Sequence, residues 1–212
     1  PALGTQPNAI LLAGWMNNQA AVNVIGQPNF NSNSPGTTAS TQNQPSGVAV
    51  DPTTGKVFVA DFSNNRVLRY SSAAAQSTGQ AAEAVFGQPN FTANAAAITQ
   101  SGMNGPTSVF VDGAGRLWVA DYYNGRVLRF DSAATKANGA NADGVLGQPN
   151  FTTYADVCTQ SGMSSANGVF VDETGCLWVS DASHNRVLRF DNAVAKANGA
   201  NADGVLGQPN FT

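Results

Sequence analysis

The chain has 212 residues, 42% of them apolar, which is enough to bury a core in one large domain or two small ones. Only 11% are charged and the net charge is −3, so Asn, Gln, Ser, Thr, Ala and Gly must cover most of the surface; six of the seven arginines fall inside three copies of "RVLR", leaving no cation cluster of the kind nucleic acid requires. No apolar run approaches the roughly 20 residues that span a bilayer, and "PALGTQPN" lacks the features of a signal peptide; the polar, lysine-poor composition points to an extracellular or cell-surface bacterial protein whose signal has been removed.

In chain order, residues 1–25 come first as an N-terminal segment. Its "NAILLAGW" (Asn8 to Trp15) is the most apolar piece outside the repeated part of the chain and is expected to form a strand of an incomplete or shared unit. From Gly26 the chain repeats itself. Gly87 to Leu146 laid over Gly147 to Leu206 matches without a gap at 39 of 60 positions, and Gly26 to Phe86 follows the same plan with one extra residue, where "DPTTGKV" stands against "DGAGRL". An insertion between two strand-like runs marks a turn. In the second unit, Val109 to Asp112, Arg116 to Asp121, Arg126 to Phe130 and Asp143 to Phe151 are rich in β-branched and aromatic residues and predict four strands. "GAG" joins the first two, and "YYNG", with "FSNN" and "ASHN" in the other units, reads as a four-residue hairpin loop.

A four-stranded meander cannot bury both faces alone, so the units must stack; radial stacking of such sheets gives an all-β propeller, whereas a linear solenoid has shorter repeats with fewer strands. "VLGQPNF" would then be the outermost strand, an edge that Gly147 can bulge and Pro149 deprives of a donor. The excursions at Asn31 to Pro45, Thr92 to Pro106 and Thr152 to Ala166 must run from rim to hub and are long for loops, which is where function often resides.

"SGVAVDPTTGKVFVADFSNNRVLRY" (Ser46 to Tyr70), "GPTSVFVDGAGRLWVADYYNGRVLRFD" (Gly105 to Asp131) and "NGVFVDETGCLWVSDASHNRVLRFD" (Asn167 to Asp191) resemble NHL repeats. The resemblance implies a propeller, commonly of six blades and mostly an interaction platform, without implying one activity. It places three blades near 47–91, 107–151 and 167–211, within 26–212, plus a partial one. Three blades cannot complete a circle, since propellers run from about four to eight. The remainder would come from a longer array or from other copies, as a closed dimer or a head-to-tail filament.

Three identical pairs, Asp61 with Arg66, Asp121 with Arg126 and Asp181 with Arg186, lie five apart across the hairpin loop and are expected as structural cross-strand ion pairs, each contributing roughly 0.2 to 1 kcal/mol where exposed. A hub metal of the kind held by the peptide-amidating lyases or the six-bladed lactonases needs converging acidic or histidine groups, but Ser46, Thr107 and Asn167 enter the inner strands. The single histidine, His184, reads as a solvated turn residue, and no catalytic, cofactor or metal site is assigned. Cys158 and Cys176 occur in one repeat and suggest a disulfide. "NFT" at Asn90, Asn150 and Asn210 fits the glycosylation sequon, although turn formation explains it as well. Met103, Tyr154 and Met163 on the excursions are the candidate binding surface, suited to a protein or glycan partner. The resulting expectation is a non-enzymatic, self-associating scaffold that requires no cofactor. The alternatives are a lyase- or lactonase-type propeller enzyme whose catalytic groups lie in other blades, and a nucleic-acid-binding NHL domain.

Overall fold

A computed structural model describes residues 18–212, so the strand expected at Asn8 to Trp15 lies outside the described residues. The described residues form three four-stranded antiparallel meanders. Blade 1 holds β1 (Pro45–Val50), β2 (Lys56–Asp61), β3 (Arg66–Ser72) and β4 (Ala84–Phe86). Blade 2 holds β5 (Pro106–Val111), β6 (Leu117–Asp121), β7 (Arg126–Phe130) and β8 (Gly144–Leu146). Blade 3 holds β9 (Ala166–Val171), β10 (Leu177–Asp181), β11 (Arg186–Phe190) and β12 (Gly204–Leu206). The chain is an all-β propeller built from four-stranded blades.

Side chains alternate across a strand with a period of two, so a sheet that is covered on both faces feeds two cores at once. Blade 2 does this. Val109, Val111, Leu117, Val119, Leu128 and Phe130 pack toward Phe58, Val67 and Phe86 of blade 1. Trp118, Ala120, Val127 and Leu146, the residues between them, pack toward Met163, Val169 and Leu188 of blade 3. Full burial of one such aliphatic side chain stabilises by roughly 1.5–3 kcal/mol. At the hub the inner strands β1, β5 and β9 are neighbours. Ser46 Oγ donates to Pro106 O at 3.0 Å and Thr107 Oγ1 donates to Asn167 O at 2.7 Å, so the residues entering the inner strands tie each blade to the next.

The hairpin loop has the four residues expected, and one local feature, the outer strand, differs from the sequence expectation. The loop between the second and third strands is a single 3-10 turn, Tyr122–Asn124 in blade 2, closed by Gly125 at φ 55°. Asn65 and Asn185 take the same left-handed position, which explains why only Asn and Gly stand there. The outer strand spans only three residues, because Gly147 at φ +89° turns the chain out of the sheet before Pro149. Its edge is protected by the neighbouring blade rather than by proline. Val85 N–H donates to Asn138 Oδ1 at 3.0 Å and Gly139 N–H donates to Val85 O at 3.0 Å; Val145 meets Asn198 and Gly199 in the same way. An Asn-Gly turn from blade n+1 thereby satisfies the otherwise open edge of blade n.

Residues 24–26 stand to blade 1 as 85–87 stand to blade 2. Gly79 N–H donates to Val24 O at 2.9 Å, and Ile25 packs against the cluster of Val57, Leu68 and Tyr70. This short segment, which is not a strand, therefore covers part of blade 1. No helix among the described residues is long and apolar enough to cross a membrane.

Candidate interaction surface

Each Asp–Arg pair joins two strands of one blade, but none is exposed; both side chains of all three pairs are fully buried. Arg66 Nε donates to Asp61 Oδ2 at 2.7 Å, and its remaining guanidinium nitrogens donate to Phe91 O, Thr38 O and Thr41 O. Arg126 repeats this with Asp121, Phe151, Thr99 and Gly102, and Arg186 with Asp181, Phe211, Thr159 and Gly162. The other aspartate oxygen accepts from the backbone entering the inner strand, as Asp121 Oδ1 does from Asn104 N–H at 2.7 Å. One ion pair thus clips together the hairpin, the rim exit and the later half of the excursion that enters the blade. Burial pushes the Asp121 carboxyl up, against the opposing pull of Arg126 and the hydrogen bonds from Asn104 and Asn124. The stability figure for exposed pairs does not apply; removing one partner from a buried pair costs about 3–5 kcal/mol.

The repeated "GQPNF" is a second clip. Gln148 Nε2 donates to Gly125 O, Ala155 O and Met163 O, and its Oε1 accepts from Ala155 N–H. A Cβ on Gly87 would sit 2.9 Å from Met103 Sδ, and one on Gly147 equally close to Met163 Sδ. Both methionines are therefore fully buried between blades and are removed from the candidate binding surface. They were expected outside because apolar residues in a polar loop look unpartnered; the partner is a glycine sixteen residues earlier. In the sequons, Asn90 Oδ1 accepts from Thr92 N–H, Thr92 Oγ1 and Ala93 N–H, and Asn150 does likewise with Thr152 and Thr153. Asn210 binds Thr212 in this manner. These asparagines form turns on the exposed rim.

Cys158 and Cys176 are both free, which overturns the expected disulfide. Cys158 lies beside Phe211 O, at the Arg186 end of blade 3, whereas Cys176 precedes β10 at the opposite end, with its Sγ 3.4 Å from Asp191 Oδ1. The length of β10 separates them, on the order of 15 Å at about 3.3 Å per residue, and a bridge requires Cα atoms within about 7 Å. His184 is also not a solvated turn residue. Its Nδ1 lies 2.8 Å from Asp181 Oδ2, where Asn64 and Asn124 serve in the other blades, and its Nε2 lies 3.3 Å from Asp156 Oδ1.

What the clips leave over is aromatic. The Phe62 and Tyr123 rings lie 5.8 Å apart across the junction of blades 1 and 2, and Tyr122 and Tyr123 stack edge to face at 5.0 Å. Tyr154 comes to the same turn from the next excursion, its ring edge 3.1 Å from where a Gly125 Cβ would be. Tyr123 is 54% exposed and Tyr154 48%. Of these four, the sequence expectation named only Tyr154. The signal for the others is that the turn letters "FSNN", "YYNG" and "ASHN" change between units while the flanking Asp and Arg do not. At the other end of the inner strands, a groove of about 570 Å³ is lined by Val50, Phe110, Asp112, Arg116 and Asp172. Two of its acids are engaged: Trp118 Nε1 and Arg116 Nε donate to Asp112, and Trp178 Nε1 donates to Asp172, whereas Glu173, also in the lining, makes no such bond among the described residues. Among the described residues no group of three or more His, Cys, Asp or Glu side chains is placed to hold a metal ion.

The family model of the NHL repeat matches residues 43–70 and 103–130, which cover β1 to β3 and β5 to β7. A search of curated proteins finds no match. Among solved structures, a streptogramin B lyase structure is similar at 13% identity, covering 78% of this chain and 41% of that one with a TM-score of 0.46. The structure of U3-55K is similar at 12% identity, covering 80% of this chain and 41% of that one with a TM-score of 0.52. The second likeness extends to the propeller fold alone, and this chain spans about two fifths of the length of either structure. Two segments of the chain, in blades 1 and 2, are thus similar to the NHL repeat.

Proposed function

We propose that this chain is a non-enzymatic interaction module of an extracellular scaffold, binding a protein partner through the turn face that carries Phe62, Tyr122, Tyr123 and Tyr154, and assembling with further blades into a larger ring or filament. The observation that carries the reading is a division of labour. In every blade one Asp–Arg pair is consumed inside the fold as a buried clip. Two positions that vary between blades, Tyr123 and Tyr154, reach solvent as large aromatics. Rigid aromatic side chains offer wide contact area at low entropic cost, which is why Tyr is enriched at interface cores. The likeness to NHL repeats supports an interaction role, and the polar, lysine-poor surface supports an extracellular setting.

The test is selection of binders from a displayed peptide library and from a printed glycan array, comparing the native chain with a Tyr123→Ala/Tyr154→Ala double variant. Both side chains are about half exposed, so the variant should keep its fold. Peptide ligands that bind the native chain and lose tenfold or more with the variant are expected, a loss of about 1.4 kcal/mol. Ligands found only on the glycan array would replace the protein partner with a sugar, and binding indifferent to both tyrosines would overturn the surface assignment.

A further inference from the structure

The turn after the second strand of each blade holds the excursion that leads into that blade, and blade 3 does so with different chemistry. In blades 1 and 2 the turn residue is Asn64 or Asn124. Its Nδ2 donates both to the buried aspartate and to a backbone carbonyl of the excursion, Gly36 O at 2.9 Å or Ala97 O at 3.0 Å. Gly36 and Ala97 also fasten the excursion to itself, their N–H groups donating to Gln42 O and Met103 O. Val157 is the counterpart of both and makes neither bond; its carbonyl accepts from Thr159 N–H, and Met163 O is taken by Gln148 Nε2. Two sequence changes meet at this point. His184 replaces the asparagine, and Asp156 stands where Pro35 and Ala96 stand in the other units. The ring spans the two carboxylates, with Nδ1 2.8 Å from Asp181 Oδ2 and Nε2 3.3 Å from Asp156 Oδ1.

We infer that His184 is a pH-operated latch on the excursion of blade 3: its imidazolium bridges Asp181 and Asp156, and loss of one proton releases Asp156, two residues from Tyr154. The inference deepens the proposed function by giving the Tyr154 face a regulator, and in that part it rests on it. A neutral imidazole has one N–H and one lone pair, whereas a carboxylate oxygen only accepts, so both contacts are made at once by the charged ring alone. When one donor is lost the two carboxylates compete unequally. The Asp181 side chain is wholly buried, whereas that of Asp156 is 60% exposed and is hydrated freely once released. A missing donor costs most where water cannot replace it. The remaining N–H therefore stays with Asp181, and Asp156 is let go.

The charged and titratable groups about this contact come from three elements. Asp181 belongs to β10, and Arg186 of β11 shares its Oδ2 through Nε at 3.0 Å. The excursion brings Asp156, Tyr154 and Cys158, the last with its Sγ directed to Phe211 O, the carbonyl that also accepts from Arg186 Nη1. Arg186 compensates Asp181 in either state of the ring, so opening the latch unfastens the excursion and leaves the blade intact. Histidine is the side chain whose ordinary titration falls between about pH 5 and pH 8. The direction follows from the charge: the bridge is present while the ring is protonated and is lost as pH rises. At the face the effect is electrostatic. A shut latch pairs Asp156, and an open one leaves a free carboxylate beside Tyr154.

The test is residue-resolved hydrogen exchange of the 212-residue chain from about pH 5 to pH 8.5, each rate divided by the intrinsic rate at that pH. The ring signals of the single histidine are followed in the same samples. Protection of Ala155 to Thr159 is expected to fall about threefold as the ring gives up its proton, which is what a part-exposed ion pair contributes. Ala95 to Thr99 of blade 2, held by Asn124, should stay level. His184→Asn installs the residue that serves the other two blades, and Asp156→Asn alters an exposed side chain, so both should fold. The fall should vanish in the first and weaken in the second. Protection that does not follow the ring, an equal fall in Ala95 to Thr99, or a fall that survives His184→Asn would each overturn the latch. Peptides selected through Tyr123 and Tyr154 should change affinity about twofold or more over the same range with the native chain and not with His184→Asn; constant affinity would overturn the link to the face. Failure to select any peptide would overturn the face and its regulation together, while exchange, which needs no partner, still decides the latch.

Discussion

Blades 2 and 3 are nearly the same sequence in different company. "RVLRF" and "DGVLGQPNF" stand in both, yet Leu146 is buried and Leu206 is not, and Gln148 is buried while Gln208 is exposed. The lesson is that a residue in this architecture is not interior by its own letter; the following blade makes it so. Stability in such arrays is close to a sum of each unit's own contribution and its nearest-neighbour contacts, and the pair of blades measures the second quantity directly.

The largest separation should come from contacts that do not depend on the neighbour. Arg126→Ala strands Asp121 in a fully buried site and should cost about 3–5 kcal/mol by urea denaturation; Arg186→Ala should cost about as much, because the clip lies within its own blade. A loss below about 1 kcal/mol in either would mean that the clips are not what hold the excursions. Next come the two leucines. Leu146→Ala should cost about 2–5 kcal/mol and Leu206→Ala less than about 0.5 kcal/mol in the monomer. Equal losses would end the contrast between the blades. The smallest effect is one of pH. Hydrogen bonds from Thr174 and Trp178 hold the Asp172 carboxyl down at about 2. A depressed acid contributes stability that is present above its ordinary value of 3.8 and is lost as pH falls through about 2. Asp112 is also depressed: burial raises it, but the bonds from Trp118 and Arg116 outweigh burial. Asp121, raised by burial, acts in the opposite sense. The urea midpoint should therefore fall between about pH 4 and pH 2, and less steeply in Trp178→Phe; an unchanged slope in that variant would remove Trp178 as the cause.

Blade count, strand order and the Asp–Arg partnership were legible in the sequence because each repeats three times, and because β-branched runs between Asn and Gly turns have few other solutions. What was not legible is contact across junctions. Met103 and Met163 look unpartnered until Gly87 and Gly147 are seen beneath them, and the outer strand looks nine residues long until Gly147 turns. The two cysteines share a repeat, yet a full strand length separates them, which proximity in the alphabet cannot reveal. Tyr122 and Tyr123 sit in a turn where any polar residue would serve, so their role emerges only when Phe62 and Tyr154 arrive beside them.

Gln42 donates to the hydroxyl of Tyr70 at 2.9 Å in a fully enclosed site, where blades 2 and 3 pair Met with Phe130 or Phe190. Burial pushes that phenol up to about 12, so the pair stays neutral throughout the physiological range. A methionine at 42 would orphan the hydroxyl, and a glutamine opposite Phe130 or Phe190 would orphan the amide, each at roughly 1–3 kcal/mol. The Gln42–Tyr70 pair thus ties this excursion to this sheet, and a Met–Phe pair does the same in the other two blades, so the segments are not interchangeable.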